Sequence, residues 1–201
     1  MDYTDLSRVK EALGTETPSD DAVLADLITA ASRDLDRRVT GAPSGAGADY
    51  FALETIEGET GKGLVTARGN ILYTARKSVV QSVEHFEYRA SPLSSWVEAS
   101  PDLITIDGNV VMVWTLAAHL RGESGLQVRL SYTGGIAEDS ADLPADLVEA
   151  VTVLAVRMYR EAQTGMADSV GVAELGSMSY TKAMPARVRE VVRQYQRVAP
   201  W

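Results

Sequence analysis

SDDAVLADLITAASRDLDRRVTG, residues 19–41, places Val23, Leu24, Leu27, Ile28, Ala31, Leu35 and Val39 on one helical stripe. Ser19 precedes two acids, Asp20 and Asp21, which suit the positive end of a helix dipole. The spacing predicts a helix of about five turns, running from about Asp20 to Arg38. Ala30 and Ala31 are small enough for a second helix to cross closely there. Upstream, Leu6, Val9 and Leu13 recur at the same period, so a short helix is expected over residues 4–13 with Thr4 as its cap and Gly14 as its stop.

Beyond the breaker-rich GAPSGAG (residues 41–47) the period changes from helical to alternating. ADYFALETI, GLVTAR, ILYT, SVVQSVEHFEY, LITIDGNVVMVW and LQVRLSY are short, rich in β-branched and aromatic residues, and bounded by turn formers. In LQVRLSY, residues 126–132, Leu126, Val128 and Leu130 point one way while Gln127, Arg129 and Ser131 point the other. Asp107-Gly108, with Gly108-Asn109 as the alternative, fits a tight hairpin turn, GETGKG (58–63) a second one, and SPLSSWVEASPD (91–102) a loop.

Helical pattern returns in LPADLVEAVTVLAVRMYREAQTG, residues 143–165, where Pro144 suits the first turn and Leu147, Val151, Leu154, Ala155, Met158 and Tyr159 form an apolar face. Its many valines lower helix propensity, so burial against the Asp20–Arg38 helix is expected to stabilise it. Met166–Met184 reads as a loop dotted with glycine and serine. PARVREVVRQYQRVAPW closes the chain with a helix from Pro185 to about Arg197, with Val188, Val191, Val192 and Tyr195 on one side and the arginines mostly on the other. The expected fold class is α+β: a small bundle of about four helices, residues 1–41 and 136–201, with a β-rich insertion lobe, residues 48–133, between the second and third helices.

At 201 residues and 45% hydrophobic content the chain can bury a substantial core. Its net charge of −9 is unevenly spread. Residues 1–60 carry 13 acids against five basic groups, whereas residues 181–201 carry five basic groups against Glu190. Opposite charge at the two ends suits oriented contact between copies. No cysteine is present, which excludes disulfides and thiolate chemistry. The acidic N-terminal stretch lacks the apolar segment of a signal peptide, and no uninterrupted apolar run approaches bilayer-spanning length, so a soluble protein is expected.

Catalytic and metal chemistry find little to work with. His85 and His119 are the two histidines, and neither has a second ligand at helical spacing. Asp20-Asp21 fits helix capping, and Asp34 and Asp36 stand among Arg33, Arg37 and Arg38, which favours salt bridging over acid–base work. GETGKG lacks the spacing and the hydroxyl of a phosphate-binding loop. Arg187, Arg189, Arg193 and Arg197 could meet DNA phosphates, yet no recognition-helix pair accompanies them and the whole chain is acidic. The same arginines fit protein contact, with Tyr195 and Trp201 as amphipathic anchors.

Two regions resemble a known family. One is YTDLSRVKEALG followed by the stretch quoted first. The other is SYTGG (131–135), the Pro144 helix, and VGVAELGSMSYTKAMPARVREVVRQYQRV (170–198) with its Ser177-Met178-Ser179-Tyr180. They are similar to the head–tail connector (adaptor) proteins of long-tailed double-stranded DNA bacteriophages, over about half the chain. The shortest members have little between the second and third helices, and longer ones resemble this chain in carrying a β-rich insertion. The resemblance implies a structural, non-enzymatic subunit without cofactor or metal, part of a dodecameric ring under the portal protein. That ring extends the DNA channel through which the genome is ejected, and tail or stopper proteins assemble on it. Location would be the head–tail junction of the virion, after the host cytoplasm during assembly, with double-stranded DNA nearby and no membrane. Carried to this chain, Arg187, Arg189, Arg193, Tyr195, Arg197 and Trp201 become candidates for portal docking, with Met166–Ser179 as tether. Asp26, Asp34 and Asp36 become candidates for facing a neighbouring subunit or the channel. The alternatives are a DNA-binding packaging accessory protein and an enzyme with an unrecognised site in the β-rich insertion.

Overall fold

Helix caps and buried stripes set the first half of the architecture. In the computed structural model, which describes residues 1–41, 49–115, 126–163, 169–172, 176–179 and 184–196, helix α1 spans Leu6–Leu13. Asp5, not Thr4, caps it by accepting from the Arg8 amide at 2.9 Å, and Gly14 ends it in the left-handed conformation. Thr4 is buried and shares a hydrogen bond of 2.7 Å with Thr152 instead. Helix α2 spans Asp21–Thr40 and stops at left-handed Gly41. Leu24, Ile28, Ala31, Leu35 and Val39 are buried, whereas Val23 is 50% exposed, so the real stripe is narrower than the spacing predicts.

Helix α3, Ala145–Gln163, begins after Pro144 and buries Leu147, Val148, Ala150, Val151, Leu154, Ala155 and Tyr159. It packs on α2 and α1, as its valine content requires. Helix α4, Ala186–Tyr195, buries Val188 and Val191 and packs on α3 and α2. These helices belong to one of two compact units, built from Met1–Ala48 and Asp139–Gln196.

Asp49–Glu138 forms the core of the other unit. Its strands are β1 (Glu54–Lys62), β2 (Leu64–Val65), β3 (Ile71–Thr74), β4 (Val80–Arg89), β5 (Val97–Glu98), β6 (Ile104–Asp107), β7 (Val110–Val113) and β8 (Gln127–Gly134). They make two antiparallel four-stranded sheets, ordered β1-β8-β4-β5 and β2-β3-β7-β6. Ile71, Tyr73, Val111 and Val113 from one sheet share a single apolar core with Phe86, Val128, Leu130 and Tyr132 from the other. β8 alternates between buried and half-buried along its whole length, as its sequence predicts.

Two local expectations are corrected here. GETGKG is no hairpin turn: Gly58–Lys62 continues β1 through a bulge, with Gly58 at φ 63. The chain changes sheet only at Gly63, where a Cβ would lie 2.7 Å from Val128 Cγ2. The 91–102 loop holds a short strand, β5, paired with the end of β4. The turn between β6 and β7 is Gly108-Asn109, since Asp107 pairs with Val110 and Gly108 has φ 57.

Within the expected Met166–Met184 loop, β9 (Ser169–Val172) and β10 (Gly176–Ser179) form an antiparallel pair. The chain is therefore a mixed helix-and-sheet protein of α+β class.

Candidate functional site

Arg187, Arg189, Arg193 and Tyr195 lie on α4, whose cap residue Pro185 has extended backbone, φ −51 and ψ 139. Spacing of Val188, Val191, Val192 and Tyr195 gives the helix one apolar side. That side is used within its own unit: Val188 is 0% and Val191 5% exposed. Tyr195 is half-buried and its hydroxyl donates to Asp146 Oδ1 on α3 at 3.1 Å. Burial, followed by the Asp146 charge, raises the Tyr195 pKa and keeps the phenol a donor.

The arginines divide by role. Arg187 donates to Glu149 Oε2 on α3 at 2.5 Å, and Arg189 donates to the Met184 carbonyl at 3.0 Å. Arg193 is exposed and has no ion-pair partner among the described residues. Arg197 and Trp201 lie outside the described residues. Arg187 and Tyr195 thus fasten α4 to α3, while the outward side presents Arg189, Glu190 and Arg193. The sequence reading missed the receiving acids, Asp146 and Glu149. Their signal was available, since acids three apart in the first turns of α3 stand ready for a basic helix.

Of the three acidic candidates on α2, Asp26 is exposed. Asp34 and Asp36 are buried, 6% and 2% exposed, and so are not surface groups of the helical unit. Asp34 accepts from Arg37 and, at 2.5 Å, from Arg38 Nε. Asp36 accepts from the Tyr3 hydroxyl at 2.6 Å and lies 3.5 Å from the Arg33 guanidinium. The carboxylates face inward and the half-exposed arginines face out, so this end of α2 shows cationic groups to solvent. The physical reason is burial: a carboxylate is shorter than a guanidinium and can sit inside while the longer partner reaches water.

His85 is exposed on β4, with Nδ1 2.8 Å from Glu98 Oε1. The Glu98 hydrogen bond raises its pKa. His119 lies outside the described residues. Among the described residues no group of three His, Cys, Asp or Glu side chains could hold a metal ion, and no helix is long and apolar enough to cross a membrane.

No protein-family model matches the sequence, and no curated protein matches it significantly. Solved structures do match in fold. One is a chain from the neck of an empty gene transfer agent particle computed with C6 symmetry, 19% identical, with a TM-score of 0.55 over 99% of this chain and 92% of that one. Another comes from the virion of a native gene transfer agent particle, 20% identical, with a TM-score of 0.54 over 99% of this chain and 92% of that one. At these identities the likeness establishes a shared fold along the whole length of the chain.

Proposed function

We propose that this chain is a structural head–tail connector (adaptor) subunit. Twelve copies form a ring under the portal protein, extend the DNA channel and link capsid to tail. The observation that carries this reading is the fold shared over 99% of the chain with a protein from a particle neck. The family resemblance at both chain ends points to the same place, and the C6 symmetry of that neck supports a cyclic assembly. The helices serve as the connector core, and residues 48–133 as an insertion lobe between α2 and α3. The work is binding, not catalysis, and needs no cofactor.

Portal docking falls to the outward side of α4, Arg189 and Arg193, together with Arg197 and Trp201. Arg187 and Tyr195 hold that side in position through Glu149 and Asp146. Asp26 is the acidic candidate left for a neighbouring subunit or the channel. The tail or stopper protein would bind the ring's far side, in the virion after assembly in the host cytoplasm.

Electron microscopy of portal-containing heads incubated with the protein tests the reading. A ring of added density at the portal vertex is expected. Its absence, or duplex DNA binding by the free protein at the expense of heads, would overturn it. Arg189→Glu with Arg193→Glu should abolish attachment while the isolated protein keeps its unfolding midpoint; undiminished attachment removes α4 as the anchor.

A further inference from the structure

The hairpin β9–β10 stands alone: its two strands pair with each other, and neither has a third strand on its outer edge among the described residues. A two-stranded ribbon with four-residue strands is marginal in water by itself, because each outer edge leaves a row of N–H and C=O groups without a ladder partner. Proteins usually guard such edges with charge, proline or a bulge. Ser169-Val170-Gly171-Val172 and Gly176-Ser177-Met178-Ser179 carry no charged residue and no proline, and their register runs unbroken from Gly176–Val172 to Ser179–Ser169.

We propose that this hairpin joins copies of the chain by strand addition, the free edge of β10 in one copy pairing with the free edge of β9 in the next. The inference rests on the ring reading and names the contact that closes the ring. A partner of different chemistry would use one edge and leave the other open. A second copy uses both, because each hairpin offers one β9 edge and one β10 edge. Repeating that step by rotation keeps every neighbouring pair antiparallel, and the contact is heterologous and able to close. Charge favours the same occupant: copies of a chain with net charge −9 repel over much of their surface, whereas these strands bring no carboxylate to the contact.

The chain has no native cysteine, so disulfide trapping is clean. Ser169→Cys is made in one preparation, and Ser177→Cys or Ser179→Cys in another, and each is assembled on portal-containing heads alone and as mixtures. Oxidation should give covalent dimers at least tenfold more abundant in a mixture than in either variant alone. A second variant, Ser177→Lys with Ser179→Lys, should lower the number of copies per head at least tenfold while the purified protein keeps its far-ultraviolet circular dichroism and melting temperature. Rings that form normally with the lysine variant, and without mixed dimers, overturn the hairpin contact and leave the ring intact. Cross-linking to a different virion protein overturns the choice of a second copy. A wild-type protein that forms no ring overturns the ring reading itself.

Discussion

Tyr3 and Asp36 meet inside the helical unit, the phenol donating to Oδ1 at 2.6 Å with the two residues 0% and 2% exposed. The Tyr3 amide also donates to Ser32 Oγ at 3.0 Å, and Ser32 Oγ in turn donates to the Ile28 carbonyl at 2.9 Å. The N-terminal residues are thereby tied to the middle of α2 by polar groups that water cannot reach. Tyr3→Phe keeps the ring but removes a donor from a buried carboxylate, which should destabilise the fold by about 1–3 kcal/mol. Denaturant unfolding of the two proteins measures it, and a change below about 0.5 kcal/mol would mean that Asp36 finds equal compensation elsewhere.

The pair His85–Glu98 makes the sheet surface sensitive to pH. Glu98 sits 2.8 Å from His85 Nδ1 and, as the leading cause, raises the imidazole pKa above its ordinary 6.5. Glu87 and Glu84 add to the shift. A raised folded-state pKa gives stability that is fully present below the unfolded value and is lost as pH rises through the folded one. Proton titration of the His85 ring by NMR should therefore show a midpoint above 6.5, and Glu98→Gln should move it down. An unmoved midpoint would remove Glu98 as the cause.

Glu87 behaves in the opposite sense. Arg129 donates to it through Nε at 2.6 Å and Nη2 at 2.7 Å, and this hydrogen bonding lowers the Glu87 pKa. Arg129 also lies over the Trp96 ring, 4.9 Å from its centroid, and Arg89 makes a second cation–ring contact with it at 4.4 Å. A depressed carboxylate contributes stability above its unfolded pKa that is lost as pH falls through the folded one. Glu87→Gln should flatten the acid limb of the stability profile while leaving stability at neutral pH within about 1 kcal/mol, as expected for a solvent-screened pair. An unchanged acid limb would show that Glu87 does not carry it.

Local signals decided how much could be read in advance. The stop at Gly14, the Pro144 start and the β8 alternation all depend on near neighbours, and each was legible in sequence, whereas the turn was placed first at Asp107-Gly108, one residue before the Gly108-Asn109 pair that forms it. Positions set by distant partners were not. Val23 matches the α2 stripe yet is 50% exposed, because spacing cannot say how wide a face its partner helix covers. Asp34 and Asp36 read as surface acids, since nothing local reveals that Tyr3 lies beside one of them. Likewise α4 has the pattern of a free amphipathic grip, and the acids that fasten it sit 38 and 49 residues earlier. The β9–β10 pair was hidden by its own composition, because glycine and serine read as loop.

Lys77 is 1% exposed, its ammonium donating to the Asp49 carbonyl at 2.7 Å and lying 2.7 Å from Glu54 Oε1. Nearby, Glu59 accepts from Tyr132 at 2.7 Å and from Tyr73 at 2.9 Å. Lys77→Met fills similar space but leaves the Asp49 carbonyl without this donor, and should destabilise by about 1–3 kcal/mol. Glu54→Gln should cost less than about 1 kcal/mol, because that carboxylate is half-exposed and screened. Chemical denaturation of the two variants checks the order, and an equal loss would mean that the ion pair outweighs the carbonyl contact.

Gly135 and Gly108 separate backbone strain from steric conflict. Gly108 has φ +57 and open space where a Cβ would stand, so Gly108→Ala should cost only the left-handed penalty, about 1–2 kcal/mol. Gly135 has φ +115, and a Cβ there would lie 2.1 Å from the Ala52 carbonyl oxygen. Backbone cannot give way as a flexible side chain can, and Ala52 is held in place by its bridge to Ala137 and by the Leu53 amide donating to the Ala137 carbonyl at 2.7 Å. Gly135→Ala should therefore lose about 3 kcal/mol or more, enough to melt the sheet unit well before the helical one if the two unfold separately. Thermal unfolding followed by tryptophan fluorescence, with Trp96 and Trp114 both in the sheet unit, reads that transition. Equal losses at the two glycines would show that the chain relaxes around Ala52.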